Sequence, residues 1–119
     1  MLQTGYKTAA ARSAEDDPAM FLYNGSELPN RKLVKLVREV AQAKNIPLQS
    51  ELVQGYGDDS AEIQKTAGGA PTITLLVPVR FTHSHNGLIS RRDFDQTVEL
   101  LVALVQRLDA STVASLRSF

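Results

Sequence analysis

The stretch AMFLYNGSELPNRKLVKLVREVAQAKN, residues 19–45, contains the first strand and the first helix that the chain predicts. Residues 19–23 are a short apolar run, and the Asn-Gly-Ser sequence at 24–26 stops it, which is typical of a buried strand that ends in a turn. Pro29 and Asn30 then open a helix whose apolar side chains recur at helical spacing as far as residue 43. This unit predicts a domain built from alternating strands and helices.

The end of that helix and the next two elements are also marked in the sequence. Lys44 and Asn45 end the helix, because a cation suits the C-terminal dipole and asparagine can adopt a left-handed cap. Residues 48–54 alternate imperfectly between apolar and polar side chains and predict a second strand. After a glycine-rich loop at 55–60, residues 61–67 predict a short helix that two glycines terminate.

The remainder of the chain predicts one more strand and a long helix. Residues 71–79 carry a nearly continuous apolar and β-branched run, which is typical of a central strand covered on both faces. Ser90 and Asp93 have the spacing of a capping box, so a helix begins there. Residues 110–116 predict a further helical turn or two. The stripe that the long helix is expected to bury consists of Phe94, Val98, Leu101, Val102, Val105 and Leu108.

The predicted element order, β-α-β-α-β-loop-α, favours a parallel or mixed sheet with helices on both faces. The fold class is therefore α/β, and the expected architecture is a partial three-layer αβα sandwich with a mostly parallel sheet. A length of 119 residues suits one compact domain, which we place at residues 18–119. Residues 1–17 lack sustained periodicity and predict a flexible or fragment-boundary head.

Composition excludes several classes of partner and chemistry. Thirteen Lys and Arg residues balance thirteen Asp and Glu residues, which argues against general binding to nucleic acid or to a membrane surface. The chain has no cysteine, so it has no disulfide framework, thiolate zinc site or thiol nucleophile. No apolar run suits a signal peptide or a transmembrane helix, and the expected location is cytoplasmic.

Reactive side chains concentrate in two loops that follow predicted strands. His83 and His85 are the only histidines, and on an extended backbone they would project to the same side and could ligate zinc. Asp58 and Asp59 could add carboxylate ligands or accept a hydrogen bond from a histidine N–H, and Arg80 could bind a carboxylate. Structural alternatives stay open for each: surface histidines in a polar loop, an aspartate pair that caps the next helix, and a solvated arginine.

Four collinear matches point to a known family. Residues 26–30, Ser-Glu-Leu-Pro-Asn, are similar to Ser-Met-Ile-Pro-Asn, and residues 57–60, Gly-Asp-Asp-Ser, are similar to Gly-Thr-Asp-Ala. Residues 69–84 begin with Gly-Ala-Pro-Thr and end with Arg-Phe-Thr-His-Ser, like the family's Gly-Val-Pro-Thr, strand and Arg-Tyr-x-His-Ser. The helix led by Asp93 is similar to the family's closing helix. On these motifs the chain resembles the glutamyl or tetrahedral-type (endoglucanase-like) metallo-aminopeptidases.

The resemblance implies a dinuclear metal site, with zinc or cobalt, that removes N-terminal residues from peptide substrates. In the family one metal polarises the scissile carbonyl while a bridging water, activated by a glutamate base, attacks it. The histidine of the His-Ser motif is a metal ligand there and corresponds to His83. The aspartate of Gly-Thr-Asp-Ala lines the site and corresponds to Asp59. We expect Asp58, Arg80 and His85 to line the same site, although His85 has no counterpart in the family.

Only the last third of the family's catalytic domain is represented in these motifs. The other metal ligands, the glutamate base and an inserted oligomerisation domain lie upstream of every match. We therefore expect the chain alone to contain no catalytic residue, to bind the metal incompletely or not at all, and to be incompetent as an aminopeptidase. One alternative is a non-enzymatic interaction module that forms a homo-oligomer through an uncovered sheet edge. Another is a small-molecule binding domain that uses the loops around Asp59 and His83.

Overall fold

The computed structural model describes residues 18–23, 25, 28–52, 55, 57–81 and 83–118. The predicted head at residues 1–17 lies outside them. In chain order the elements are β1 Ala19–Tyr23, α1 Arg31–Ala43, β2 Gln49–Leu52, α2 Ser60–Ile63, a 3₁₀ turn Thr66–Gly68, β3 Leu75–Leu76, α3 Arg91–Arg107 and α4 Ala110–Leu116. The predicted α/β class is confirmed. Among the described residues, no helix is long and apolar enough to cross a membrane.

The strands of the described chain form one sheet in the order β2-β1-β3. β1 is parallel to β2 and antiparallel to β3, with Ala19 opposite Leu76 in the second pairing, so the sheet is mixed. The prediction that residues 71–79 form a central strand is wrong, because β1 is central and only Leu75 and Leu76 pair at the edge. Pro78 has no N–H to donate to a ladder, which limits the length of β3.

Both ends of α1 lie where the sequence predicts them. Asn30 is the N-cap, and its side-chain oxygen accepts a hydrogen bond from the Leu33 N–H over 2.9 Å. At the C-terminus, Asn45 adopts a φ of 54°, in the left-handed region. The N–H of the buried Ile46 donates to the Ala41 carbonyl over 2.9 Å, which is the bond of a Schellman cap.

The apolar core joins β1 to α1, α3 and the end of α4. Met20 and Val37 are fully buried at its centre, and Leu100 contributes from α3. Burial of such large apolar side chains is the main favourable term in folding. The complete buried cluster consists of Met20, Leu33, Leu36, Val37, Val40, Ala41, Ile46, Leu100, Ala103, Leu104 and Leu116.

α3 turns a different face to this core from the one that the sequence predicts. Its buried residues are Asp93, Leu100, Ala103 and Leu104. The predicted stripe is instead between 44% and 59% exposed at Phe94, Val98, Leu101, Val102 and Val105. At about 100° per residue, the two faces lie roughly a third of a turn apart. Both faces are apolar, so helical periodicity alone could not show which of them is buried.

Two shorter elements have features that the sequence pattern did not predict. In β2 the polar Glu51 is buried whereas Leu52 is 60% exposed, so the acidic side of the alternating pattern faces inward. The helix predicted at 61–67 ends at Ile63, and a separate 3₁₀ turn follows. Ala67 has a φ of 50° inside that turn, a conformation that an α-helix cannot contain.

Candidate functional site

Three of the sequence motifs come together at the end of the sheet where β1 and β2 have their carboxyl ends. The Asn30 N–H donates to the Thr72 carbonyl over 3.1 Å, which joins residues 28–30 to the Gly-Ala-Pro-Thr motif. The Thr74 hydroxyl donates to Asp58 Oδ2 over 3.5 Å, which joins the loop after β2 to the same segment. Functional sites in α/β folds gather at the carboxyl ends of parallel strands, so this end of the sheet is the first candidate region.

Asp58 organises the loop after β2. Its Oδ1 accepts a hydrogen bond from the Ser60 N–H over 3.2 Å and another from the Ser60 hydroxyl. Asp59 occupies the N-cap position of α2 but its side chain makes no capping bond, and the residue is exposed. Asp58 therefore has the structural role, since it bonds the first residue of α2, whereas the Asp59 carboxylate is available for another contact.

The loop that carries His83 and His85, between Arg80 and Leu88, lies at the opposite end of the sheet. Because β3 is antiparallel to β1, the chain that leaves β3 emerges where β1 begins. Arg80 and Leu88 exchange backbone hydrogen bonds of 2.9 and 3.3 Å, which close the loop between them. This loop and the loop after β2 therefore leave opposite ends of the strands, and these strand directions argue against the expectation that Asp58 and Asp59 line the same site as His83.

Within this loop, both histidines are exposed. His83 has a φ of 60° and Phe81 a φ of 62°, so the backbone is not extended and the expected same-side projection of His83 and His85 does not apply. Positive φ at non-glycine residues costs about 1–2 kcal/mol each and persists only where the surroundings impose it. The Ser84 hydroxyl donates a hydrogen bond to the Asn86 carbonyl oxygen over 2.8 Å, and this local contact helps to hold the loop in its conformation.

These residues do not form a metal centre by themselves. In the described parts of the chain, no three His, Asp or Glu residues lie together in a group that could hold a metal ion. A catalytic zinc ion takes three protein ligands. The strand directions place the loops that carry Asp58 and His83 at opposite ends of the sheet. The residues present therefore do not fit a complete dinuclear site. His83 could serve only as one ligand of a site that other segments complete.

A cavity of about 640 Å³ opens beside the carboxyl ends of β1 and β2, and none of the predicted site residues lines it. Its walls hold α4 in place: Lys32 Nζ donates to the Ser115 carbonyl over 3.1 Å, and Asn30 Nδ2 donates to the Leu116 carbonyl over 2.9 Å. Sequence reasoning missed both contacts. A lysine that satisfies a carbonyl 83 residues away leaves no local pattern by which it could be found.

Comparison with known proteins identifies the family. Residues 2–100 match the model of the family described as M42 glutamyl aminopeptidase. The match includes residues 2–17, for which the sequence motifs gave no correspondence. Among the relatives, a putative aminopeptidase of Acetivibrio thermocellus is 35% identical over 88 residues, which cover 74% of this chain and 27% of the relative. The chain belongs to the M42 glutamyl aminopeptidase family.

Solved structures show the same fold within longer chains. The TET aminopeptidase of the marine sediment archaeon Thaumarchaeota archaeon SCGC AB-539-E09 superposes with a TM-score of 0.88 at 30% identity, over 97% of this chain and 33% of its own. The Pyrococcus horikoshii TET1 peptidase, which can assemble into a tetrahedron or a large octahedral shell, gives 0.72 at 22% identity, over 87% and 30%. The chain thus spans 27–33% of the length of these three relatives.

Proposed function

We propose that this chain supplies one portion of a metal-dependent aminopeptidase and is not the complete enzyme by itself. One observation carries the proposal: 97% of the chain superposes on only 33% of a TET aminopeptidase chain. The substrate would be the N-terminal end of a peptide and the metal zinc or cobalt, as the family resemblance implies. A cytoplasmic location stays a prediction from the sequence.

Within this portion, His83 is the proposed metal ligand. Its place in the Arg-Phe-Thr-His-Ser sequence and its exposed position support this role. Neutral imidazole binds zinc and related divalent metals well. Arg80 and His85, which lie in the same loop as His83, are proposed to line this site. Asp59 lies in the loop after β2, at the other end of the sheet, and is not assigned to it; Asp58 holds that loop through its bonds to Ser60.

The first experiment measures the zinc or cobalt retained per chain after loading and desalting. The unsubstituted chain, His83→Ala and His85→Ala are compared, and we expect none of them to retain an ion or to hydrolyse a peptide anilide, because a single ligand binds metal weakly. Mixed with the missing two thirds of a family member, the chain should confer metal retention that His83→Ala removes and His85→Ala preserves. Hydrolysis by the chain alone, abolished by His83→Ala, would contradict the proposal.

A second candidate, an oligomerisation module, is favoured by the sheet edges. Within the described chain, β2 and β3 are both edge strands, and edge strands present backbone groups to which further strands can pair. The Pyrococcus horikoshii TET1 peptidase, which can assemble into a tetrahedron or a large octahedral shell, supports the proposal of a homo-oligomer here. Light scattering tests this candidate, which predicts a mass that rises with concentration. A monomer mass at every concentration would exclude it.

A further inference from the structure

α3 carries a second apolar surface, which we call the outer face of α3 and define as Phe94, Val98, Leu101, Val102 and Val105. These side chains are between 44% and 59% exposed. Single exposed apolar residues are normal on protein surfaces, but a contiguous row on one helix marks an interaction surface. The outer face therefore needs an occupant.

The spacing of the outer face indicates what kind of element covers it. Phe94, Val98, Leu101 and Val105 follow one another at intervals of four, three and four residues. This alternation places side chains along one seam between two packed helices. Leu108 continues the same spacing and packs against the buried core, so the seam joins the core at its C-terminal end. A helix along this seam would extend the layer in which α1 and α3 already contact each other.

We infer that the outer face of α3 is the docking surface for a helix from the part of the M42 fold that this chain lacks. That part could be carried by the same polypeptide or by a separate one, and the inference rests on the proposed function. The size of the missing part supports this occupant. The TET aminopeptidase holds this fold within 33% of its chain, which leaves two thirds of that chain to pack around it.

The test uses the remaining two thirds of the Thaumarchaeota TET aminopeptidase, with the matched third deleted, as a tagged polypeptide expressed together with this chain. Because the chain has no cysteine, Leu101→Cys and Glu99→Cys each introduce one thiol, on the outer face and on the exposed polar face of α3. Maleimide labelling of Leu101→Cys should be about tenfold slower in the complex than in the chain alone. Labelling of Glu99→Cys, the matched control, should be unchanged.

A pair of charge substitutions tests the same surface without a label. Leu101→Glu places a carboxylate in the seam and should weaken the complex by about tenfold or more. Gln106→Glu adds the same charge elsewhere on α3, at an exposed position, and should leave the complex intact. Leu101 is already 50% exposed, so both variants should retain the circular dichroism spectrum of the unsubstituted chain.

Three results would overturn the inference. They are the absence of a complex with the unsubstituted chain, a complex that Leu101→Glu leaves undiminished, and protection of Leu101→Cys in the chain alone together with a doubled mass. The third result would assign the outer face to a second copy. Hydrolysis is scored separately: a complex that protects Leu101→Cys but has no aminopeptidase activity supports the docking surface and counts against the proposed function.

Discussion

The backbone N–H of Asn30 donates to the carbonyl oxygen of Thr72 over 3.1 Å, and this bond joins the start of α1 to the segment that leads into β3. The Asn30 side chain accepts from the Leu33 N–H and donates to the Leu116 carbonyl, each over 2.9 Å. One asparagine therefore caps α1, fixes the Gly-Ala-Pro-Thr motif beside it and attaches the end of α4 to both.

Substitution of Asn30 separates these roles. Asn30→Asp keeps the oxygen that caps Leu33 but loses the amide donor to Leu116, whereas Asn30→Ala loses both bonds. We expect a loss of about 1 kcal/mol of unfolding free energy for Asn30→Asp and about 2–3 kcal/mol for Asn30→Ala. Urea denaturation measures both. Equal losses would mean that the capping bond to Leu33 contributes nothing to stability.

Two neighbouring leucines report which face of α3 is buried. Leu100 is fully buried and Leu101 is 50% exposed, so the same truncation has different consequences. Leu100→Ala should cost about 2–5 kcal/mol because it leaves a cavity in the core. Leu101→Ala should change stability by less than about 0.5 kcal/mol in the isolated chain. The reverse order in thermal or urea unfolding would show that α3 packs through the stripe predicted from the sequence.

The adjacent aspartates differ in the same way. Asp58→Ala removes the acceptor for the Ser60 N–H and hydroxyl and should destabilise the fold by about 1–3 kcal/mol. Asp59→Ala removes no capping bond and should change stability by less than about 0.5 kcal/mol. Ser60→Ala combined with Asp58→Ala should be less than additive, because the two side chains share a bond. Additive losses would contradict the contact.

Asp109 makes the N-terminus of α4 sensitive to pH. The Thr112 N–H, which donates to Asp109 Oδ1 over 2.7 Å, is the largest cause that holds the pKa of this carboxyl below its ordinary value of 3.8. A pKa that is lower in the folded state contributes stability that is complete above the unfolded value and disappears as the pH falls through the folded value.

The Thr112 amide proton, followed by NMR during acid titration, checks this. Its chemical shift should titrate with a midpoint below 3.8, the ordinary pKa of the group. Asp109→Asn keeps a capping oxygen that does not ionise, so it should preserve α4 and abolish the titration. A midpoint at or above the ordinary value would contradict the predicted direction.

The sequence located both ends of α1 and the start of α3. Asn30, Asn45 and Ser90 act as predicted because a cap uses bonds between residues only a few positions apart. For β2 the sequence predicted a strand but not its inward side, where Glu51 is buried and Leu52 is exposed. The buried side of a strand depends on what packs against it, which the alternation of residue types records only in part.

The sequence by itself determined the order of strands and helices, the caps of the long helices and the motifs through which the chain belongs to the M42 family. These features depend on local backbone preferences and on short hydrogen bonds along the chain. Only the tertiary structure decided that β3 is antiparallel to β1, which places the loops that carry His83 and Asp58 at opposite ends of the sheet. It also decided that Leu100 and not Leu101 enters the core. Strand direction and the buried face of a doubly apolar helix depend on contacts between distant segments, so no local pattern specifies them.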